Sequence, residues 1–321
     1  MIFDKPNISE ADVLGIMELY FAPSFSAPKV TNLGGIPNSN YRIQAETYDH
    51  VLKIYSKGQS SVEHIEKEVA FVVFMQQNGI LTLSLICGTD GNYLQYWNGY
   101  PVTCSKYISG RLLSDIVVDD HISRLVGEYV ASFVETAAKC DVKMETPNEL
   151  LSTVEYVFKD INRQCLPQIV KNDLDRVLSF WGLIAPQLSF LEHSQKHQCV
   201  HMDLWPYNLI INDGKLYSID YDDWMYTSPI FELAVVLLEF CMFESDEFDW
   251  NKAQSIIAGY RSYAPLNYTF KDLHIALQYL CILWYGYNLV ESDDYSDAQI
   301  YIKKLEVITT NTFKEHFYSL P

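Results

Sequence analysis

Apolar residues at positions 8, 13, 16, 19 and 20 recur at helical spacing and predict a helix over 8–22. Ser9 is its N-cap, and Pro23 and Pro28 stop it. From residue 30 to 55 the pattern shortens to β-type runs, KVTNL, NYRIQAE and HVLKIY, separated by the turn-forming GGIPNSN and TYDH. These predict a three-stranded antiparallel meander. An amphipathic helix over 63–78 follows, and then strands over 81–87, 93–97 and 102–107 around Asp90-Gly91 and Asn98-Gly99 turns. After Ser109-Gly110 the pattern turns helical: 120–139, 154–161, 174–191, 230–243, 252–263, 273–291 and 298–317 all carry 3.6-type spacing. A hairpin over 208–220, turning at Asn212-Asp213-Gly214, interrupts this series. The pattern describes an α+β chain with two lobes. Residues 1–108 form an antiparallel β-sheet N-lobe with one crossing helix, residues 109–321 a mainly helical C-lobe, and the hinge lies near 104–110.

The hairpin region carries the chemistry. In HMDLWPYNLIINDGKLYSID, His201 to Asp220, Asp203 and Asn208 stand in the order H-x-D-x-x-x-x-N, the spacing of a kinase catalytic loop, and Asp220 ends the next apolar stretch. Phosphoryl transfer needs a carboxylate facing the acceptor hydroxyl, with an amide oxygen and a second carboxylate on Mg²⁺.

A second group lies in the β-rich half. Gly34 and Gly35 open a turn, followed by Asn38, Ser39 and Asn40, that reads equally as a plain hairpin loop or as one that lets backbone N–H groups approach phosphates. Lys53 stands in the otherwise apolar strand VLKI, and an inward-facing lysine needs a partner. Glu68 is the favoured partner because it borders Val72 and Met75 on the buried face of the 63–78 helix; Glu63 and Glu66 compete with it.

Bulk composition narrows the classes. Hydrophobic residues make up 49% and charged residues 20%, a globular balance, while 23 Lys and Arg against 41 Asp and Glu leave −18. That charge repels phosphate backbones, so no nucleic-acid partner is expected; it favours cationic small molecules as readily as it serves solubility. The start MIFDKPNISE lacks a secretory pattern, and the strongly apolar 233–243, with Glu239 inside it, is too short for a membrane span. Seven cysteines without a CxxC pair read as reduced thiols of a cytoplasmic protein.

The series GGIPNSNYR, VLKIY, EKEVAFVVF, KYISG, HMDLWPYNLII, SIDYDD and SPIFELAVVL resembles the aminoglycoside phosphotransferase/choline kinase superfamily, nearest in look to its type II homoserine kinases. The resemblance implies a bilobal protein-kinase-like fold and an ATP- and Mg²⁺-dependent phosphotransferase. Its acceptor is the hydroxyl of a small molecule: homoserine, an amino alcohol such as choline, or an aminoglycoside. It also implies roles. Asp203 is the catalytic base, Asn208 and Asp220 hold Mg²⁺, Lys53 meets the α/β-phosphates, and Glu68 fixes Lys53. Gly34 to Asn40 cover the phosphates, and the backbone around Lys106 and Ile108 holds adenine. His201 orders the loop. Asp222 and Asp223 are open either to metal or substrate duties or to a solvated acidic turn, the turn being favoured for Asp223. Glu232 stands where many relatives carry Asp.

Two other classes compete, a catalytically silent nucleotide-binding scaffold and a kinase acting on protein side chains. Lys53, Asp203, Asn208 and Asp220 are all present, which speaks against the first. The second needs a long activation segment closed by Ala-Pro-Glu, whereas here a helix is predicted to start at Ile230. The aromatic residues Trp205, Tyr207, Trp224, Tyr226, Trp284, Tyr285 and Tyr287 are candidates either for the acceptor pocket or for core packing.

Overall fold

The computed structural model describes residues 8–21, 28–35, 37–58, 60–144, 150–291 and 295–321. In chain order the elements are α1 (Glu10–Met17), β1 (Lys29–Gly34), β2 (Ser39–Gln44), β3 (Asp49–Ile54), α2 (Val62–Gln77), β4 (Ser84–Leu85), β5 (Gln95–Trp97), β6 (Tyr100–Lys106) and β7 (Arg111–Leu112). After a 3₁₀ turn at Leu113–Asp115 come α3 (Asp120–Ala137), α4 (Leu150–Asp160), α5 (Gln168–Ser194), β8 (Gln198–Val200), β9 (Leu209–Asn212), β10 (Lys215–Ser218) and β11 (Met225–Thr227). The chain ends with α6 (Ile230–Cys241), α7 (Trp250–Tyr263), α8 (Phe270–Glu291), α9 (Ser296–Thr309) and α10 (Asn311–Tyr318). This is the expected α+β class, an antiparallel sheet first and helices after it.

The chain forms two compact units, residues 1–111 with 210–222, and residues 112–209 with 223–321. The first is discontinuous: it takes in residues 210–222, whose hairpin strands β9 and β10 form a separate three-stranded sheet with β7.

In the first unit a sheet runs in the order β1-β2-β3-β6-β4, with β5 also pairing β6. Strand β3 lies between β2 and β6, so Lys53 stands opposite Asn40 on one side and Thr103 on the other. Its neighbours Leu52 and Ile54 point to the opposite face, where they are fully buried with Ile43, Val102 and Cys104 against Val13, Ile16 and Met17 of α1. Period-two alternation therefore sends Lys53 away from the apolar core. Ser9 caps α1, its hydroxyl accepting from the Asp12 N–H at 3.2 Å while Asp12 accepts the Ser9 N–H at 2.9 Å. That helix closes at Met17, sooner than its spacing predicts; the expected extension to 22 ends outside the described residues. The predicted strand over 81–87 shortens to Ser84–Leu85, because Thr82 instead makes a bridge to Ser218 and its hydroxyl donates to the Tyr221 oxygen at 2.7 Å. Hairpin β9–β10 turns at Asp213 and Gly214 with φ of 49° and 70°, both left-handed as its tight turn requires.

In the second unit α6 is buried on every side, as an apolar-all-round helix must be. Helices α3 and α7 approach so closely that a Cβ at Gly127 would stand 1.9 Å from the Ile256 carbonyl oxygen. Only glycine permits that contact. The single helix expected over 298–317 is two. Thr310, with ψ 150°, ends α9 and caps α10 by accepting the Phe313 N–H at 3.1 Å. The apolar spacing continues through the break and hides it.

Candidate active site

Lys53 of β3 is 9% exposed, and a buried ammonium demands anionic partners. It has three: Asp222 in direct contact, Asp220 at 3.4 Å and Glu68 of α2 at 3.6 Å. Burial works to lower the lysine pKa, and the surrounding Asp222, Glu68, Tyr55 and Asp220 overcome it, so the ammonium is retained. Glu68 is 4% exposed and accepts the Tyr55 hydroxyl at 2.8 Å; burial, opposed by Lys53, pushes its carboxyl up to about 7. Its competitors point elsewhere. Glu63 is exposed and pairs with Lys67 at 2.7 Å, and Glu66 is exposed.

Asp222 is not a solvated turn residue. Besides touching Lys53 it accepts from Asn38 Nδ2 at 2.6 Å, and Asn38 Oδ1 accepts the Ser56 N–H at 2.8 Å. Burial raises the Asp222 pKa against the pull of Lys53. Asn38 thus ties the glycine turn to the acidic cluster. Gly34 and Gly35 have φ of 84° and 113°, and a Cβ on Gly35 would lie 2.6 Å from Asn40 Nδ2 and 2.9 Å from the Asn38 oxygen. Ser39 is buried beside them and opens β2. Asp220 adopts φ 60°, a left-handed conformation uncommon for a residue with a side chain, and keeps 48% of that side chain exposed. Lys106 closes β6 opposite His50 and Ser84; Ile108 lies half-buried beyond the strand.

The second unit holds His201, Asp203 and Asn208 of the loop predicted to be catalytic. Strand β8 pairs with β11, Val200 opposite Met225, and delivers the chain to His201. His201 is fully buried, and its Nδ1 accepts the Asp203 N–H at 3.3 Å, a structural role for the ring. Glu232 of α6 reaches up to the same loop. One oxygen accepts the His201 N–H in direct contact and the Met202 N–H at 3.4 Å, across a residue held at φ 66°. Burial pushes the Glu232 carboxyl up to about 8 against those two N–H bonds. Asn208 Nδ2 donates to Asp203 Oδ2 at 2.5 Å and to the Asp203 carbonyl at 3.0 Å, which fixes the aspartate rotamer.

Asp203 opens onto a cavity of about 200 Å³, whose walls include Trp205, Asp223, Glu239, Trp284 and Tyr301. Of the aromatic candidates, Trp205 and Trp284 line it, while Trp224 and Tyr285 are core residues at 1% exposure. Asp223, expected as a solvated turn, is exposed and also lines the cavity. Glu239, in the cavity wall, was not among the predicted site residues, yet its signal was visible: a carboxylate inside an apolar helical run needs a partner. It pairs with Lys304 of α9 at 2.7 Å, both side chains buried. Burial, then the Glu239 and Asp203 charges, drive the Tyr301 phenol pKa far up and keep it neutral.

Among the described residues no group of three or more His, Cys, Asp or Glu is set to hold a metal ion. Mg²⁺ on a nucleotide needs no such cage, only one or two hard protein oxygens beside phosphates and water. The donor chemistry fits. The Asn208 nitrogen is committed to Asp203, leaving its amide oxygen, and Asp220 offers a half-exposed carboxylate.

A glycine turn, a carboxylate-bound lysine and an asparagine-braced aspartate form a phosphotransferase inventory, and residues 30–266 match the model of the phosphotransferase enzyme family. The chain belongs to that family. A homoserine kinase of Paramagnetospirillum magneticum is 22% identical over 247 residues, covering 73% of this chain and 71% of the relative. Among solved structures, amicoumacin kinase in complex with AMP-PNP and Ca²⁺ superposes with a TM-score of 0.74 at 17% identity, covering 94% of this chain and 93% of that one. A microcompartment-associated aminopropanol kinase gives 0.70 at 13% identity, covering 94% and 95%. The expected membership and the protein-kinase-like fold hold. The solved structures named here are kinases by their names, and this chain is a phosphotransferase by its family. Among the described residues no helix is long and apolar enough to cross a membrane.

Proposed function

We propose that the protein transfers the γ-phosphoryl group of ATP to the hydroxyl of a small, amine-bearing molecule. In this reading the first unit supplies the nucleotide residues. Lys53, held by Glu68, neutralises the α/β-phosphates, the Gly34–Asn40 turn offers N–H groups to them, and the backbone near Lys106 and Ile108 receives adenine. The second unit supplies Asp203 and the acceptor cavity. The alcohol oxygen bonds to the γ-phosphorus as the bond to the ADP oxygen breaks, and the hydroxyl proton passes to the Asp203 carboxylate. Because the transition state is loose, positioning and late proton acceptance suffice. Mg²⁺, held by Asn208 and Asp220, would supply charge neutralisation on the phosphates. With seven free cysteines and a need for ATP, the cytoplasm is the proposed setting.

The observation that carries this reading is Asp203 braced by Asn208 at the mouth of a cavity of small-molecule size. Asp203→Asn tests it. We expect kcat to fall by roughly 10²–10⁴ with ATP binding retained, and near-normal turnover would overturn the mechanism. Labelled ATP with metabolite and protein mixtures separates small-molecule from polypeptide acceptors by where the label appears.

A further inference from the structure

We infer that the acceptor is an amino alcohol bearing a protonated primary or secondary amine and no carboxylate, and that Glu239 reads the amine. The inference rests on the phosphotransferase reading above and narrows its substrate.

Three carboxylates, Asp203, Asp223 and Glu239, line the cavity, and none of its described lining residues is Lys or Arg. Lys304 stands behind Glu239, but its ammonium is taken up by Glu239 Oε2 at 2.7 Å. A carboxylate on the acceptor would face Asp203 and Asp223 with no Lys or Arg among the described lining residues to receive it, a penalty of roughly a hundredfold at separations of about 6 Å. An ammonium finds the opposite. Glu239 is 6% exposed; Lys304 takes Oε2, the neighbouring Tyr301 hydroxyl also interacts with the carboxylate, and Oε1 is buried with no described protein donor at ordinary hydrogen-bond distance. A buried carboxylate oxygen in that state needs a donor. Asn288 adds an acceptor, since its Nδ2 is committed to the Trp284 carbonyl at 2.8 Å and its amide oxygen remains.

A quaternary ammonium satisfies neither group, because it has no N–H. Trp284 and Tyr301 line the cavity, and aromatic rings suit a cation of either kind, so aromatic contact does not discriminate. The Oε1 atom does. Size narrows the acceptor further: about 200 Å³ is below the roughly 300–1,000 Å³ of pockets for drug-sized ligands, which favours a short amino alcohol over an aminocyclitol or saccharide. Lys304 acts as a positioning residue, holding Glu239 by one oxygen so that the other stays available.

Matched substrates test this on the unmodified protein. 3-Amino-1-propanol is homoserine without its carboxylate, and ethanolamine is choline with N–H in place of N-methyl. With ATP and Mg²⁺, ADP release should give a kcat/KM at least tenfold higher for 3-amino-1-propanol than for homoserine, and for ethanolamine than for choline. Equal or reversed order in the first pair overturns the exclusion of a carboxylate; equal or reversed order in the second overturns the N–H requirement. ADP release from homoserine alone would leave the phosphotransferase reading standing and refute this inference. Release from none of the four, with ATP still bound, would refute this inference and leave the phosphotransferase reading to the labelled-ATP test with metabolite mixtures.

Glu239→Gln alone would leave Lys304 buried without a counter-charge, so the variant is made together with Lys304→Met. We expect the double variant to raise KM for 3-amino-1-propanol roughly tenfold to a hundredfold, the worth of a charge-assisted hydrogen bond, with KM for ATP unchanged. An unaltered amine KM would overturn the role of Glu239.

Discussion

Replacing Glu232 by glutamine should remove a proton from the folding equilibrium while keeping the acceptor that holds the catalytic loop. In the native protein one Glu232 oxygen accepts the N–H groups of His201 and Met202, and the other has no hydrogen-bond partner. Burial pushes the carboxyl from its ordinary 4.5 up to about 8. Between those values the folded protein holds a proton that the unfolded chain has released. Stability from this group is therefore fully present below pH 4.5, falls as pH rises, and is lost above about 8. At ~1.4 kcal/mol per pH unit, the interval has a ceiling of roughly 5 kcal/mol. Glutamine presents the same carbonyl acceptor and does not titrate. The difference in unfolding free energy, Glu232→Gln minus wild type, should thus grow in favour of glutamine from pH 5 to pH 8. Urea unfolding at four pH values with unchanged m-values measures it. A difference independent of pH would show that the native carboxyl is ionised, and the reasoning would fail. Glu232→Ala is the control. It leaves two buried N–H groups without an acceptor, at ~1–3 kcal/mol each, and should lower both stability and kcat at every pH.

Lys53→Met leaves Asp220, Asp222 and Glu68 without their shared counter-charge and should reduce kcat/KM for ATP about 10²-fold or more; unchanged ATP kinetics would refute the placement of Lys53 at the phosphates. Gly259→Ala would put a Cβ 2.0 Å from the Arg124 carbonyl oxygen and force α3 and α7 apart, at a cost of about 3 kcal/mol or more. Gly182→Ala in α5 meets nothing within 4 Å and should instead stabilise by ~1 kcal/mol, the difference in helix propensity. Thermal unfolding of the pair reads out both, and equal effects would contradict the packing argument.

Helices whose apolar face is continuous were legible in the sequence to within a few residues, because burial of one stripe is written in spacing. The break at Thr310 was not, since Ile302, Leu305, Ile308, Phe313 and Phe317 keep their spacing across it and only the cap geometry separates α9 from α10. The same division runs through the site. Asp203 and Asn208 are five positions apart, and their pairing is a local property of one loop. The inward lysine of β3 was legible as well, since strand alternation and burial demand a counter-charge for it. Glu68 was legible too, from its place on the buried face of α2, and it stands 3.6 Å from the lysine; Asp222, the carboxylate in direct contact, was not. Asp222 is 169 positions from Lys53, and residues 210–222 belong to the first compact unit rather than to the unit of their sequence neighbours. Glu239 repeats the lesson. Its presence in an apolar helix announced a buried charge, but Lys304 is 65 positions away and on another element. The amino-acid sequence by itself determined the element types, the H-x-D-x-x-x-x-N loop motif and the family, all of which rest on short-range spacing. Only the tertiary structure decided the partners of the buried charges, because desolvation obliges each to find an opposite charge or a donor and the chain can bring that group from anywhere.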